Sequence, residues 1–235
     1  MVSERAKELF KEDDVELTVP PNEPRPVLLI VMGPASCGKS TIGSGIAEDL
    51  HLPFVDGDTL HPQSNIDKMS KGIPLTDDDR LPWLALIRST AERVCKEQWE
   101  RGEVRSKDNG GLGRAGIVIA CSALKKWYRD ILRGDPPAHP AARPEMEVHK
   151  PATDNLQTLF LYCHGTPELL AQRIAARKNH FMGAQMLKSQ LATLELPRNE
   201  PGVAWVDIDG TPQEVRERAL QSMKVVVRKE VDGNE

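Results

Sequence analysis

MGPASCGKST, from Met32 to Thr41, is the stretch from which the fold of this chain is read. Gly33 to Ser40 fit G-x-x-x-x-G-K-[ST], between an apolar run, Val27 to Val31, and a segment with helical periodicity. Gly33 and Gly38 permit backbone conformations and close approaches that a side chain would block. The loop through Pro34, Ala35, Ser36 and Cys37 is therefore expected to turn N–H groups inward around a polyphosphate. The helix that follows adds its N-terminal dipole, Lys39 supplies a mobile cation for the outer phosphates, and the Ser40 hydroxyl can ligate magnesium. Thr41 closes the expected nucleotide-binding stretch. A chance match in a Gly/Ser-rich turn is the alternative, and the strand before and helix after argue against it.

Working outward, Val27 to Val31 reads as a central parallel strand buried on both faces. Ile42, Ile46 and Leu50 recur every four residues and mark one face of a helix ending near His51. Phe54 and Val55 make a short second strand that delivers Asp56 and Asp58 at its carboxyl edge, where open α/β sheets place ligands. Residues 56–82 form a polar, substrate-facing segment with room for one short helix around Asn65 to Met69. Pro82 suits the first turn of a long helix running to about Arg101. Ile117 to Cys121 is a third strand, Leu159 to Cys163 a fourth and Val203 to Ile208 the last, with Pro212 to Arg228 as a closing helix. Arg173, Arg177 and His180 lie in a basic stretch, 173–190, expected to fold over phosphates as a helical lid. Five strands alternating with helices predict one α/β domain over 27–230, a five-stranded parallel sheet with helices on both faces.

Three segments stand apart. Residues 1–26 are charged and proline-rich and read as a loosely ordered extension. The stretch 134–155 holds five prolines and reads as a surface insertion. Gly111, Gly113 and Gly116 spell G-x-G-x-x-G, yet the motif precedes a strand where a dinucleotide fold needs it to follow one, so it reads as a connector.

Composition narrows the partners. A net charge of −4 over 235 residues gives no basic field for nucleic acid or an acidic membrane surface. Cys37, Cys95, Cys121 and Cys163 form no C-x-x-C pair, which argues against zinc and against a disulfide framework. No apolar stretch approaches the ~20 residues of a membrane span. The expectation is a cytoplasmic protein acting on small molecules.

With these motifs in hand, the chain resembles the gluconokinases, small phosphate-loop kinases related to shikimate and nucleoside monophosphate kinases. The resemblance rests on MGPASCGKST, VDGDTLHPQSNIDKMSKGIPLTDDDRLPWL, CSALKKWYRDILR, RKNHFMGAQMLKSQLATLELP and VDID, within residues 27–210. It implies a nucleoside-monophosphate-kinase-like fold, transfer of the ATP γ-phosphoryl group to the 6-hydroxyl of D-gluconate with Mg2+, and a homodimer. Phosphoryl transfer has a loose transition state, so positioning and cationic donors matter most, which suits Lys39, Arg173 and Arg177. Asp58 is the expected base for the acceptor hydroxyl and Asp56 its metal-holding partner, the two sharing a face if the segment is extended. Their other reading is a pair of turn-capping aspartates.

A sugar acid calls for guanidinium and amide groups. Arg80 and Arg129 are candidates for its carboxylate, since arginine matches a carboxylate bidentately; otherwise each is a helix-surface ion pair. His61, Asn65 and Gln190 are candidates for its hydroxyls, with His61 also readable as structural. Asp77, Asp78 and Asp79 read alternatively as an acidic helix start. Two positions depart from the family pattern: Cys37 stands where Gly or Ser is common, and Gly183 where proline is. A nucleoside monophosphate kinase would need to seat a flat base on a chain with 4% aromatic residues. Another sugar-acid kinase and a nucleotide-binding sensor without turnover are the remaining rivals.

Overall fold

In the computed structural model, residues 24–135, 155–176 and 183–230 are described. The expected extension, most of the proline-rich insertion, and Arg177 and His180 of the lid stretch lie outside them. The described elements are β1 (Val27–Met32), α1 (Lys39–Leu50), β2 (Phe54–Asp56), a 3-10 turn (Gly57–Leu60), α2 (Gln63–Ser70) and α3 (Asp77–Glu100). They continue with a second 3-10 turn (Lys107–Asn109), β3 (Gly116–Ala120), α4 (Lys126–Arg133), β4 (Gln157–His164), α5 (Pro167–Ala175), α6 (Gly183–Thr193), β5 (Val203–Asp207) and α7 (Pro212–Glu230).

All six residues of β1 are buried, because the strand lies at the centre of the sheet and both its faces are covered. Its period of two divides the core. Val27, Leu29 and Val31 pack with Ile42, Ile46 and Leu50 of α1 and with Val215, Ala219 and Met223 of α7. Leu28, Ile30 and Met32 pack on the other side with Trp83, Leu84 and Ile87 of α3 and Tyr128, Ile131 and Leu132 of α4. Burying a side chain of this size contributes about 1.5–3 kcal/mol, so these two layers carry much of the stability.

The sheet is parallel throughout, in the order β2-β3-β1-β4-β5. After β1 the chain builds out to β2 and returns through β3, then crosses to β4 and β5. The order therefore switches direction at β1, and the crevice at its carboxyl end is where such sheets bind ligands.

One helix start is corrected. α3 begins at Asp77, not at Pro82, because Thr76 caps it: the Thr76 hydroxyl accepts from Asp79 N–H, and the Asp79 carboxylate accepts from Thr76 N–H at 2.8 Å. Pro82 is thus the sixth helical residue, near enough to the start that the chain tolerates its missing donor.

Candidate active site

The phosphate loop leaves β1 and enters α1 through Gly38, whose φ of 91° is the left-handed conformation that favours glycine. Gly33 N–H donates to Ser122 O at 3.3 Å, which ties the loop to the end of β3. Lys39 Nζ donates to Pro34 O at 2.9 Å and lies 4.0 Å from Cys37 Sγ. From α5, Arg173 reaches the same loop: Nη2 donates to Ile208 O at 2.6 Å, and Nη1 lies 3.5 Å from Cys37 O. Two of the expected phosphate cations therefore converge. Beside them a cavity of about 860 Å³ opens between α1 and α7, lined by Gly38, Thr41, Ile42, Arg173, Pro212 and Leu220.

Cys37 is fully buried. Burial raises its pKa, but the hydrogen bond from the Cys163 thiol and the Lys39 charge outweigh this, so the net shift is downward and that of Cys163 upward. The chief lowering influence is a second thiol, with the expected cations behind it.

Across the end of β3, Ser40 Oγ donates to Asp56 Oδ2 at 2.6 Å, and Asp58 N–H donates to Asp56 Oδ1 at 3.1 Å. The two aspartates do not sit on one extended segment as expected. Asp56 ends β2 and caps the 3-10 turn, and Asp58 is carried around the corner within it. Gly57 between them permits this, since a Cβ there would lie 2.5 Å from Ala120 O. Trp83 Nε1 fixes the corner by donating to Gly57 O at 2.7 Å. Desolvation first, and the Asp56 charge second, raise the Asp58 pKa, with Lys39 partly offsetting them. Lys39, Asp56 and Asp58 are thus one electrostatic set. The Ser40 hydroxyl and Asp56 carboxylate are adjacent hard oxygen donors, a pair that suits Mg2+ completed by phosphate and water.

The residues expected at the acceptor divide. Arg80 is half-buried, with Nη1 donating to the carbonyls of Leu75 and Thr76 and its guanidinium carbon 6.0 Å from the centre of the Tyr128 ring. His61 and Asn65 are buried at the base of α2. The His61 ring stacks on Trp83 at 4.1 Å, Asn65 Nδ2 donates to Asp79 O at 2.7 Å, and the same Nδ2 lies 3.3 Å from His61 Nδ1. Burial, and then the Arg80 charge, push the His61 pKa down to about 4, so it stays neutral. Asp79 is the helix cap described above, and it also accepts from Lys68 at 2.5 Å. A cation the sequence reading passed over is Lys125, which directly follows the loop leaving β3. Its Nζ donates to both Asp77 oxygens at 2.9 and 2.6 Å, and the Tyr128 hydroxyl donates to the same carboxylate. Its position just beyond a strand's carboxyl end was the available signal, the one that singled out Asp56 and Asp58.

Arg129 is placed differently from the expectation. Its side chain is fully buried and all five N–H groups are used, on Glu200 (2.9 and 2.5 Å), Ala123 O (2.9 Å), Leu124 O (3.2 Å) and Glu195 O (3.1 Å). No donor is left for a ligand. It clamps the segment after α6 to the β3–α4 corner. Gln190, on α6, turns to the phosphate loop, where its Oε1 accepts from Ala35 N–H at 2.6 Å.

No family model matches the chain. Among curated proteins, a probable gluconokinase of Schizosaccharomyces pombe is 35% identical over 216 residues, covering 92% of this chain and 95% of that protein. The gluconokinase of Gluconobacter oxydans is 38% identical, over 84% of this chain and 91% of its own. Among solved structures, a gluconokinase from Sinorhizobium meliloti superposes with a TM-score of 0.63 at 35% identity, covering 91% of this chain and all of that one. Likeness of this extent, spanning the phosphate loop, the aspartate corner and α6 alike, means that the chain belongs to the gluconokinase family.

Proposed function

We propose that the chain transfers the γ-phosphoryl group of ATP to the 6-hydroxyl of D-gluconate, giving 6-phospho-D-gluconate and ADP for the pentose phosphate pathway. One observation carries the reading: Ser40, Asp56 and Asp58 converge at the carboxyl end of β1 and β2 through contacts of 2.6 and 3.1 Å, with the Lys39 charge acting on Asp58, in a chain 34–38% identical to proteins named gluconokinase.

In this reading the loop from Gly33 to Thr41 wraps the phosphates, and the neighbouring cavity at Thr41, Arg173 and Pro212 takes the nucleoside. Lys39 turns from Pro34 O to the outer phosphates, and Arg173 adds charge at the same loop. Ser40 and Asp56 hold Mg2+, which when bound draws charge from the phosphate oxygens. Asp58 orients the acceptor hydroxyl and takes its proton; a raised pKa makes it a better base than an ordinary carboxylate. Arg80 and Lys125 face the acid end, with Asp77 holding Lys125 in place of a substrate carboxylate. Arg129, His61 and Asn65 act as positioning residues. The family resemblance further supports a cytoplasmic homodimer.

The test is ADP release with a panel of sugar acids and nucleoside monophosphates, followed by the mass of the product. Gluconate-dependent release with a product heavier by one phosphoryl group is expected. Faster turnover of a monophosphate, or release without dependence on any acid, would overturn the assignment.

A further inference from the structure

Gln190 is the one side chain from α6 that the structure brings onto the phosphate-loop backbone among the described residues. A backbone N–H can only donate, so the 2.6 Å contact with Ala35 fixes which end of the Gln190 amide is which. Oε1 faces Ala35, and Nε2, with two N–H donors, is the other end of the same planar group. Within the loop, Cys37 N–H donates to Pro34 O at 3.5 Å and Lys39 Nζ to the same oxygen at 2.9 Å. Ala35 N–H is instead held from a residue 155 positions away.

The backbone that carries Gln190 is itself fixed. Leu187 is buried in the core beside α1 and α5, and Leu191 packs against the same cluster. Just beyond α6, Glu195 N–H donates to Leu124 O at 2.8 Å, and the Glu195 carboxylate accepts from Lys126 N–H at 2.6 Å. Arg129 then locks Glu195 and Glu200 to the same corner. That corner also carries Ser122, which accepts from Gly33 N–H. Both the loop and α6 are thus referenced to the end of β3, and the distance between Gln190 and Ala35 is set by the fold.

We infer that Gln190 is a catalytic residue for phosphoryl transfer: Oε1 pins the Ala35 amide, and Nε2 donates to the terminal phosphoryl group of the bound triphosphate. The role rests on the kinase reading above and differs from reading the hydroxyls of the acceptor. Nothing is transferred to or from the side chain. It supplies a neutral donor beside the Lys39 cation, where charge on the moving phosphoryl oxygens must be held.

The test is titration of the magnesium-loaded protein with ADP and with a nonhydrolysable ATP analogue, alongside turnover, for Gln190→Leu and Gln190→Glu. Leu removes both ends of the amide. Glu keeps an acceptor for Ala35 and removes the donor. In both variants the preference for the triphosphate analogue over ADP is expected to fall about 10- to 100-fold, the size of one hydrogen bond to a charged group, with kcat falling at least as far. The KM for gluconate is expected to stay within about twofold and the Gln190→Glu melting temperature near that of the unaltered chain, because the Ala35 contact survives. An unchanged preference with a raised gluconate KM would overturn the inference and return Gln190 to the acceptor. Equal losses of ADP and analogue affinity in both variants would overturn it as well, leaving a support for the loop. The affinity ratio is read without an acceptor, so it is separate from whether gluconate is the substrate.

Discussion

In the proposed reaction, Asp58 concentrates the chemistry of the site in a single ionisation. Burial among protein atoms and the neighbouring Asp56 charge raise its pKa, while Lys39 pulls it down by less. A base works only when ionised, so activity is expected to fall as pH descends through this raised pKa, above the value near 3.9 of a free aspartate. Asp56→Asn removes the second of the two raising causes, so in the metal-free protein the Asp58 carboxyl is expected to titrate at lower pH, read by NMR, while the rate drops with the loss of the proposed metal-holding carboxylate. Asp58→Asn is expected to lower kcat by about 100-fold or more, the range of general-base catalysis, with ATP-analogue affinity within about threefold. Its effect on folding has the opposite sign. With the folded pKa raised, the unfolded chain gives up this proton first as pH rises, so the ionised carboxylate opposes folding at neutral pH. The asparagine variant is therefore expected to melt no lower than the unaltered chain; a large loss of melting temperature would show that Asp58 supports the corner structurally. That two carboxylates lie at the end of β2 was legible in the D-x-D spelling, but the bend that separates the two was not. It depends on Ala120 O passing close to Gly57, a contact between strands distant in sequence.

At the scale of elements, the junction of α2 and α3 shows how local signals compete. Pro82 reads as a helix start because proline is favoured in the first turn, yet Thr76 and Asp79 form a reciprocal cap six residues earlier. An aspartate takes the third position where glutamate is the usual partner, which is why the cap was hard to read. The strands were more legible, since the apolar run of β1 admits few other interpretations and the expected ends of β3 and β4 lie within two residues of those observed. The junction has a pH signature. His61 lies against Trp83 with its pKa depressed to about 4, whereas an unfolded histidine titrates near 6.5. Between these values the unfolded chain binds a proton that the folded one refuses, so stability falls as pH drops from about 6.5 toward 4. The span corresponds to about 3 kcal/mol from this one residue. Urea unfolding of His61→Phe, compared with the unaltered chain across pH 4–7, is expected to lose that portion of the slope; an identical pH dependence would place His61 in solvent.

Over the whole molecule, the parallel sheet brings the active site together from segments that no local pattern connects, and Arg129 shows what this does to inference from sequence. In CSALKKWYRDILR it looks like a helix-borne arginine beside a strand end, available to a carboxylate. Its actual partner, Glu200, is 71 residues further along, and the pairing becomes visible only once β4 and β5 lie on the far side of β1. The expectation was a guanidinium gripping the carboxylate of a substrate; in the structure the carboxylate it grips through both oxygens belongs to Glu200. The ion pair is buried on both sides, with 0% and 9% of the side chains exposed, so deleting either partner leaves an unpaired charge away from water. Glu200→Ala is expected to cost about 3–5 kcal/mol of stability. Arg129→Lys keeps the charge and loses the planar fork that serves five acceptors, so it too is expected to lower the melting temperature. What separates a clamp from a substrate ligand is how the loss is distributed. A clamp that holds the segment after α6 should reduce stability, and, at temperatures where Arg129→Lys remains folded, leave the gluconate KM within about twofold. A gluconate KM raised tenfold at unchanged melting temperature would mean that Arg129 leaves Glu200 for the acceptor during turnover.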